Sequence, residues 1–351
     1  MDAAGWHVQA MTPPPTPPEP ATASALASMG EAARADYAAA FRVAMRARPL
    51  ASPIHDHVRS QLDAALHSTF LERPGARTIL ALSAPFSAGK STMIKSWAQA
   101  LHRSWMADSE PSAIPRWTPT PGISADSVPV SYLTLLSDAR GTDLYAQLLG
   151  FAKRDSGGPV RSIVQRAVRA LHTHGTRLVI IDDAHMLRTT SVTGRATLNA
   201  VKHLNTELGE QGGVLVLVGA DLIGGDVLAD PQIRGRLAQF TFQPYEIDTD
   251  TGRRQWQRFL KAAEELLLPY LPSNMAGDLS SRLAEYVWIR STGFVSDASR
   301  LLVDGAAAAL GTGEALDREV LDQVVLSQRA CDAQVEIERL RRPLADAGAP
   351  S

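Results

Sequence analysis

The sequence predicts an α/β fold, a five-stranded parallel sheet between helices followed by a small all-helical domain. Three observations carry this. An apolar run at residues 78–83 leads through a short loop into a helical pattern, and a second apolar run ends on Asp182 and Asp183. Strand-like and helix-like segments alternate as far as residue 242, and from residue 250 strand signals vanish.

The chain has 351 residues, 45% apolar and 21% charged, with a net charge of −2. Such a chain buries a real core and is not a basic particle that coats nucleic acid indiscriminately, so any DNA contact needs a local patch. A single cysteine, Cys331, excludes an internal disulfide and a cysteine metal cluster. No apolar run approaches a membrane span and no export signal is visible, so a cytoplasmic protein is expected.

The organisation expected in chain order starts with a proline-rich tail over 1–24, extended and without fixed structure because proline at this density makes neither ladder nor helix. An N-terminal helical segment covers 25–69, with Ile54 and His55 as candidates for covering a bound base. The core runs from 70 to 248, the helical domain from 249 to 340, and a flexible tail from 341 to 351. Within the core, 107–127 reads as loop, and Pro129 places the strand over 128–136 at a sheet edge. Thr142 is a plausible cap for a helix over 143–153, and a second helix covers 160–174. Strands follow at 177–183, 212–221 and 240–242, separated by a helix over 194–208 and a short one from 230.

Residues 83–92, Ser-Ala-Pro-Phe-Ser-Ala-Gly-Lys-Ser-Thr, lie between a buried strand and a helix start. The first N–H groups of a helix have no internal partner and carry the positive end of its dipole, so this loop is an anion cradle. Ala84, Pro85, Phe86, Ser87, Ala88, Gly89, Lys90, Ser91 and Thr92 are therefore the candidate nucleotide-binding residues. Lys90 supplies charge to the β- and γ-phosphates, and Ser91 is placed to ligate Mg²⁺. Ala84 stands where the motif usually has glycine. Asp182 closes the second apolar run and is the other expected Mg²⁺ ligand. Asp183 takes the place where a water-activating glutamate is common; being one methylene shorter, it implies slow or partner-stimulated hydrolysis. ATP and Mg²⁺ are the expected cofactors. His185 is open to two readings, a group that positions water or senses nucleotide, and a hydrogen-bonded structural histidine.

A linked series of segments then carries a resemblance: residues 181–187 (Ile-Asp-Asp-Ala-His-Met-Leu), 198–208, 216–220, 230–236 and 291–302. Over roughly 45–310 the chain resembles the AAA+ ATPases of DDE-transposon systems, the TniB/TnsC group related to phage Mu B. The resemblance implies a P-loop AAA+ core with a helical lid domain. It further implies an ATP-dependent regulator that oligomerises on duplex DNA, with a hexameric helical turn, and recruits or activates a DDE transposase together with a TniQ-like adaptor. ATP would sit between subunits, with Arg236, or as second choice Arg234, reaching the γ-phosphate of the neighbour. A basic residue and a threonine after the second strand would touch DNA backbone, which points to Arg140 and Thr142, then to Lys153 and Arg154. Seven basic residues, Arg140, Lys153, Arg154, Arg161, Arg166, Arg169 and Arg177, against two acids, make this stretch the place for such a surface. Two departures stand out: Ala220-Asp221 replaces a polar sensor at a strand end, and Ser296 stands where a sensing arginine is frequent, with Arg300 further along. The alternatives are a signalling or defence ATPase that switches protein partners, and a helicase-loader-like ATPase.

Overall fold

The computed structural model describes residues 1–135, 139–187, 192–220, 222 and 230–341. Two compact units divide the chain. The first comprises Met1–Pro13, His57–Phe86 and Lys90–Phe242; the second comprises Pro14–Asp56, Ser87–Gly89 and the chain from Gln243 on.

The first unit is built on a five-stranded parallel sheet. Its strands are β1 (Ile79–Ser83), β4 (Val130–Thr134), β5 (Leu178–Asp182), β6 (Val214–Gly219) and β7 (Leu237–Thr241), in the order β4-β5-β6-β1-β7. Every residue of β1, β5 and β6 is buried, which is why these strands read as unbroken apolar runs: both faces of a parallel sheet are covered by helices. Each fully buried aliphatic side chain contributes roughly 1.5–3 kcal/mol. Register is set by pairs such as Leu80 with Val216 and Tyr132 with Ile180. β4 lies at the edge, as Pro129 implies. The covering helices are α5 (Lys90–Trp105), α6 (Gly141–Phe151), α7 (Val160–His174) and α8 (Val192–Glu210).

Several expectations need correction. Residues 107–127 are not all loop: β2 (Arg116–Thr120) and β3 (Ile123–Asp126) form an antiparallel hairpin. It is pinned to α7 by Trp117, whose indole N–H donates to the Thr173 carbonyl at 3.0 Å. Gly175 ends α7 at φ 62, and a β-carbon there would lie 2.8 Å from the Trp117 ring, so the close approach needs glycine. The first 24 residues are not a structureless tail. Helix α1 (Ala3–Met11) buries Ala3, Trp6, His7 and Ala10 in the first unit, and α2 (Ala23–Ser28) begins just before the expected boundary. Thr142 is not a cap but the second residue of α6. The cap position is Arg140, whose backbone N–H donates to Asp143 Oδ2 at 2.8 Å.

The second unit gathers α3 (Glu31–Arg46) and the first turn of α4 (Pro53–Phe70) with the C-terminal helices. The expected N-terminal segment over 25–69 is therefore no separate domain. Phe41 and Met45 of α3 share one core with Phe259 and Leu260 of α10 (Asp250–Leu267) and Leu301 and Leu302 of α12 (Val295–Thr312). Arg46 and Arg42 of α3 and Arg300 of α12 surround Asp304, which leaves Arg300 in a structural ion pair. The end of the helical domain forms two helices, α13 (Arg318–Asp322) and α14 (Gln328–Arg341). The flexible tail expected over 341–351 lies outside the described residues except for Arg341, which ends α14. No helix among the described residues is long and apolar enough to cross a membrane.

Candidate nucleotide site

The loop from Ser83 to Lys90 leaves β1 in the middle of the sheet and turns directly into α5, whose first residue is Lys90. Ala84 is buried, and its N–H donates to the Gly219 carbonyl at the end of β6 (3.3 Å). The Ser83 hydroxyl accepts the N–H of Leu222 at 3.1 Å. These bonds tie the loop entrance to the adjacent strand. Ser87 (φ 63) and Gly89 (φ 89) both adopt left-handed backbone, which curls the chain around its own N–H groups. A β-carbon on Gly89 would meet His55 Cε1 at 3.0 Å, so the cradle is bare there by necessity. His55 Nε2 lies 3.1 Å from the Ala88 carbonyl, and the Ser296 hydroxyl donates to the Ser87 carbonyl. His55 thus acts on the loop itself, whereas Ile54 packs against the core of the second unit.

Lys90 is buried, and its ammonium sits over the Phe86 ring, 5.0 Å from the centroid. Phe86 in turn meets the His185 ring edge-on at 5.4 Å. Ser91 and Thr92 are exposed on the first turn of α5. Across the sheet, Asp182 ends β5 with its side chain buried. Its Oδ2 accepts the Tyr132 hydroxyl at 2.7 Å and its Oδ1 accepts the N–H of Asp183 at 3.0 Å. The donor set fits Mg²⁺: Asp182 supplies a carboxylate and Ser91 a hydroxyl, both hard oxygens.

Asp183 lies at φ 56, ψ 35 and is half-buried. Left-handed backbone is costly for most side chains, and aspartate and asparagine tolerate it best after glycine. This gives a physical reason for aspartate where glutamate is common. His185 accepts the N–H of Ala220 on Nδ1 at 3.3 Å, so its proton resides on Nε2, 4.0 Å separating Nδ1 from Asp183 Oδ1. The histidine links the ends of β5 and β6 with the phosphate loop, a convergence visible only in three dimensions. Asp221, read as a substitute sensor, lies outside the described residues.

The two arginines assigned to a neighbouring site lie together. Arg234 ends the short helix α9 (Pro231–Arg234), Arg236 stands in the link to β7, and both are exposed. Asp230 caps α9 and pairs with Lys202 at 2.8 Å, while neither arginine forms an ion pair with a described residue. The strand begins at Leu237, earlier than the sequence suggests.

The expected DNA-contacting residues are not brought into one patch. Arg140 and Thr142 stand at the start of α6, and Lys153 and Arg154 just past its end, about 15 Å apart at 1.5 Å per residue. Lys153 is engaged with Asp2 of the N-terminal helix at 3.1 Å. Among the other basic residues, Arg166 pairs with Asp155 at 3.0 Å. Arg177 is exposed but packs over the Phe70 and Trp105 rings (5.1 and 4.4 Å), and partial desolvation there lowers its pKa. Arg140, Arg154, Arg161 and Arg169 are exposed.

The bacterial TniB protein family matches residues 73–247. Comparison with curated proteins gives no match. Among solved structures, the ORC2 protein of Aeropyrum pernix, in ADPNP and ADP complexes, is similar with a TM-score of 0.51 and 13% identity, covering 84% of this chain and 71% of that one. The ORC1 protein of the same organism, solved in complex with DNA, has a TM-score of 0.49 and 17% identity, covering 87% and 68%. Likeness at such identities is one of fold, and the fold is that of the AAA+ P-loop ATPases.

Proposed function

Since the chain belongs, through residues 73–247, to the bacterial TniB family, we propose that it is an ATP-dependent regulator of DDE-type transposition. It assembles on duplex DNA, marks a target and recruits or activates the transposase, with a TniQ-like adaptor as a further partner. ATP hydrolysis controls disassembly.

The observation that supports this most is the pairing of Lys90, at the head of α5 in the middle of the sheet, with Asp182 at the end of β5, inside the segment that matches the family. The backbone N–H groups of the curled loop hold the β- and γ-phosphates, and Lys90 adds its charge. The ammonium lies over the Phe86 ring, a contact that phosphate oxygens would replace at little cost. Ser91 and Asp182 would hold Mg²⁺, which when bound neutralises charge on the phosphate oxygens. Asp183 orients the attacking water and accepts its proton; its short side chain on constrained backbone suits slow turnover. Arg236, with Arg234 beside it, serves the nucleotide of the next subunit. A guanidinium there stabilises charge developing on the transferred phosphoryl group and ties hydrolysis to assembly. Arg140 and Thr142 contact DNA backbone; Lys153, already held by Asp2, is the weaker choice. Few contacts per subunit suffice, because a polymer multiplies them.

Electron microscopy and sedimentation with duplex DNA and a slowly hydrolysed ATP analogue test the proposal. Polymers that need both nucleotide and DNA are expected at low salt. Their absence would sink it in favour of an ATPase that switches protein partners, and preference for single strands would favour a helicase loader.

A further inference from the structure

We propose that Tyr132 is a positioning residue for the metal-binding carboxylate Asp182, and that the N-terminal helix α1 holds Tyr132 in place through Trp6. The inference rests on the Mg-ATP reading of the site and assigns part of its metal affinity to residues far from the phosphate loop.

A carboxylate has roughly four lone-pair positions. In Asp182 two are taken, one by the Tyr132 hydroxyl at 2.7 Å and one by the Asp183 N–H at 3.0 Å. Together they fix both the rotamer and the plane of the carboxylate, and the remaining positions are left for the shell of a cation. Outer partners of this kind orient metal ligands, and their loss typically weakens metal affinity about 10–100-fold. Tyr132 sits on β4, paired in register with Ile180 of β5, so its hydroxyl approaches Asp182 from the neighbouring strand. The carboxylate can only accept, so the hydroxyl is the donor in this bond.

Tyr132 is itself held from the other side. The indole of Trp6, fully buried, stacks on its ring with centroids 5.2 Å apart and planes within 12°. The same indole N–H donates to His102 Nδ1 at 3.2 Å, and His102 belongs to α5, the helix that starts at Lys90. One aromatic side chain of α1 therefore touches both halves of the site, the strand pair that presents Asp182 and the helix that presents Lys90. Beyond α1 the chain runs into residues 12–20, Thr-Pro-Pro-Pro-Thr-Pro-Pro-Glu-Pro, which cannot continue the helix. α1 is thus a separate clip on a proline tether, held by side-chain contacts.

The test uses full-length Tyr132→Phe, Trp6→Ala and Trp6→Phe chains. Binding of a fluorescent ATP analogue is titrated with Mg²⁺ and repeated in chelator, with melting temperature recorded beside it. Tyr132→Phe removes one oxygen and should leave folding and metal-free nucleotide binding as in wild type. It should raise the half-saturating Mg²⁺ concentration about tenfold or more. Trp6→Ala should reproduce that shift, Trp6→Phe should restore most of it, and the Trp6→Ala, Tyr132→Phe double variant should be no worse than either single one, because both act through one bond. An unchanged Mg²⁺ requirement in Tyr132→Phe, or additive shifts in the double variant, would overturn the inference while leaving the nucleotide site standing. A wild-type chain that binds no analogue with or without Mg²⁺ would overturn the nucleotide reading and this inference with it.

Discussion

His7 Nδ1 lies 3.0 Å from His102 Nε2, and the two rings form the middle of a one-way chain of hydrogen bonds. The Trp6 indole can only donate, so His102 accepts on Nδ1 and carries its proton on Nε2. That proton goes to His7 Nδ1, and His7 Nε2–H then donates to the Glu110 carbonyl at 2.9 Å. Every bond is satisfied only while both rings are neutral.

Acid should therefore release α1. Burial first, and then the neighbouring His7 and Arg103, lower the His102 pKa from 6.5 to about 4. The unfolded chain binds the extra proton first. The stability supplied by the neutral ring is complete above pH 6.5 and is lost as pH falls toward 4, at about 1.4 kcal/mol per pH unit within that window. Hydrogen-exchange protection factors for the amides of residues 3–11 should fall between pH 6.5 and 4. Equal protection at both ends would contradict the account.

Lys90→Ala should bind ATP about 10–100-fold more weakly, the worth of one charge-assisted contact to phosphate. Its melting temperature should stay close to that of wild type, because the aliphatic stem is small beside the core. Calorimetry settles this; normal affinity would mean that the site is misassigned.

Arg236→Ala should lower assembly-dependent ATP hydrolysis by about 10³-fold, the lower end of what an arginine finger supplies, and leave ATP affinity intact. Mixing it with Lys90→Ala subunits tests action in trans. Interfaces that join an intact phosphate loop to an intact Arg236 should recover part of the activity, and no recovery at any ratio argues for a role within one chain. The same pair of experiments on Arg234 ranks the two.

Arg140→Glu should weaken DNA binding and flatten its dependence on salt, since one fewer counterion is released per subunit and the introduced charge repels phosphate. Filter binding across salt concentrations reads the slope. Lys153→Glu should have a second effect, loosening Asp2 and with it the start of α1, because the backbone N–H of Gly5 and, after it, Lys153 keep the Asp2 carboxyl below its usual pKa. Arg177→Glu should lower stability, because the cation–π contacts with the Phe70 and Trp105 rings are lost.

The sheet centre was legible in the sequence because β1, β5 and β6 are covered on both faces, and such strands need uninterrupted apolar runs. The loop at residues 83–90 and Asp182 follow at the ends of those runs, so the placement of the candidate site at the sheet's carboxyl edge was legible too. The hairpin at Arg116–Asp126 was not, since its residues are mostly exposed and lie within a stretch rich in proline and serine. Helix α1 left a signal that the prolines after it obscured: Ala3, Trp6, His7 and Ala10 follow helical spacing, and Asp2 caps the first turn through Gly5 N–H. The contacts of Tyr132, His55 and His185 were beyond any reading of spacing, because each joins segments that only the folded sheet brings together.

If Asp183 orients the attacking water as proposed, its left-handed backbone restricts how hydrolysis could be made faster. A longer acid placed there would bring extra reach together with a conformational cost of roughly 1–2 kcal/mol, so a single exchange for glutamate is a poor route to brisk turnover. On that reading acceleration would more readily come from outside the chain, through a companion that reshapes the turn after β5, and the peptide geometry at one position would act as a brake that binding releases.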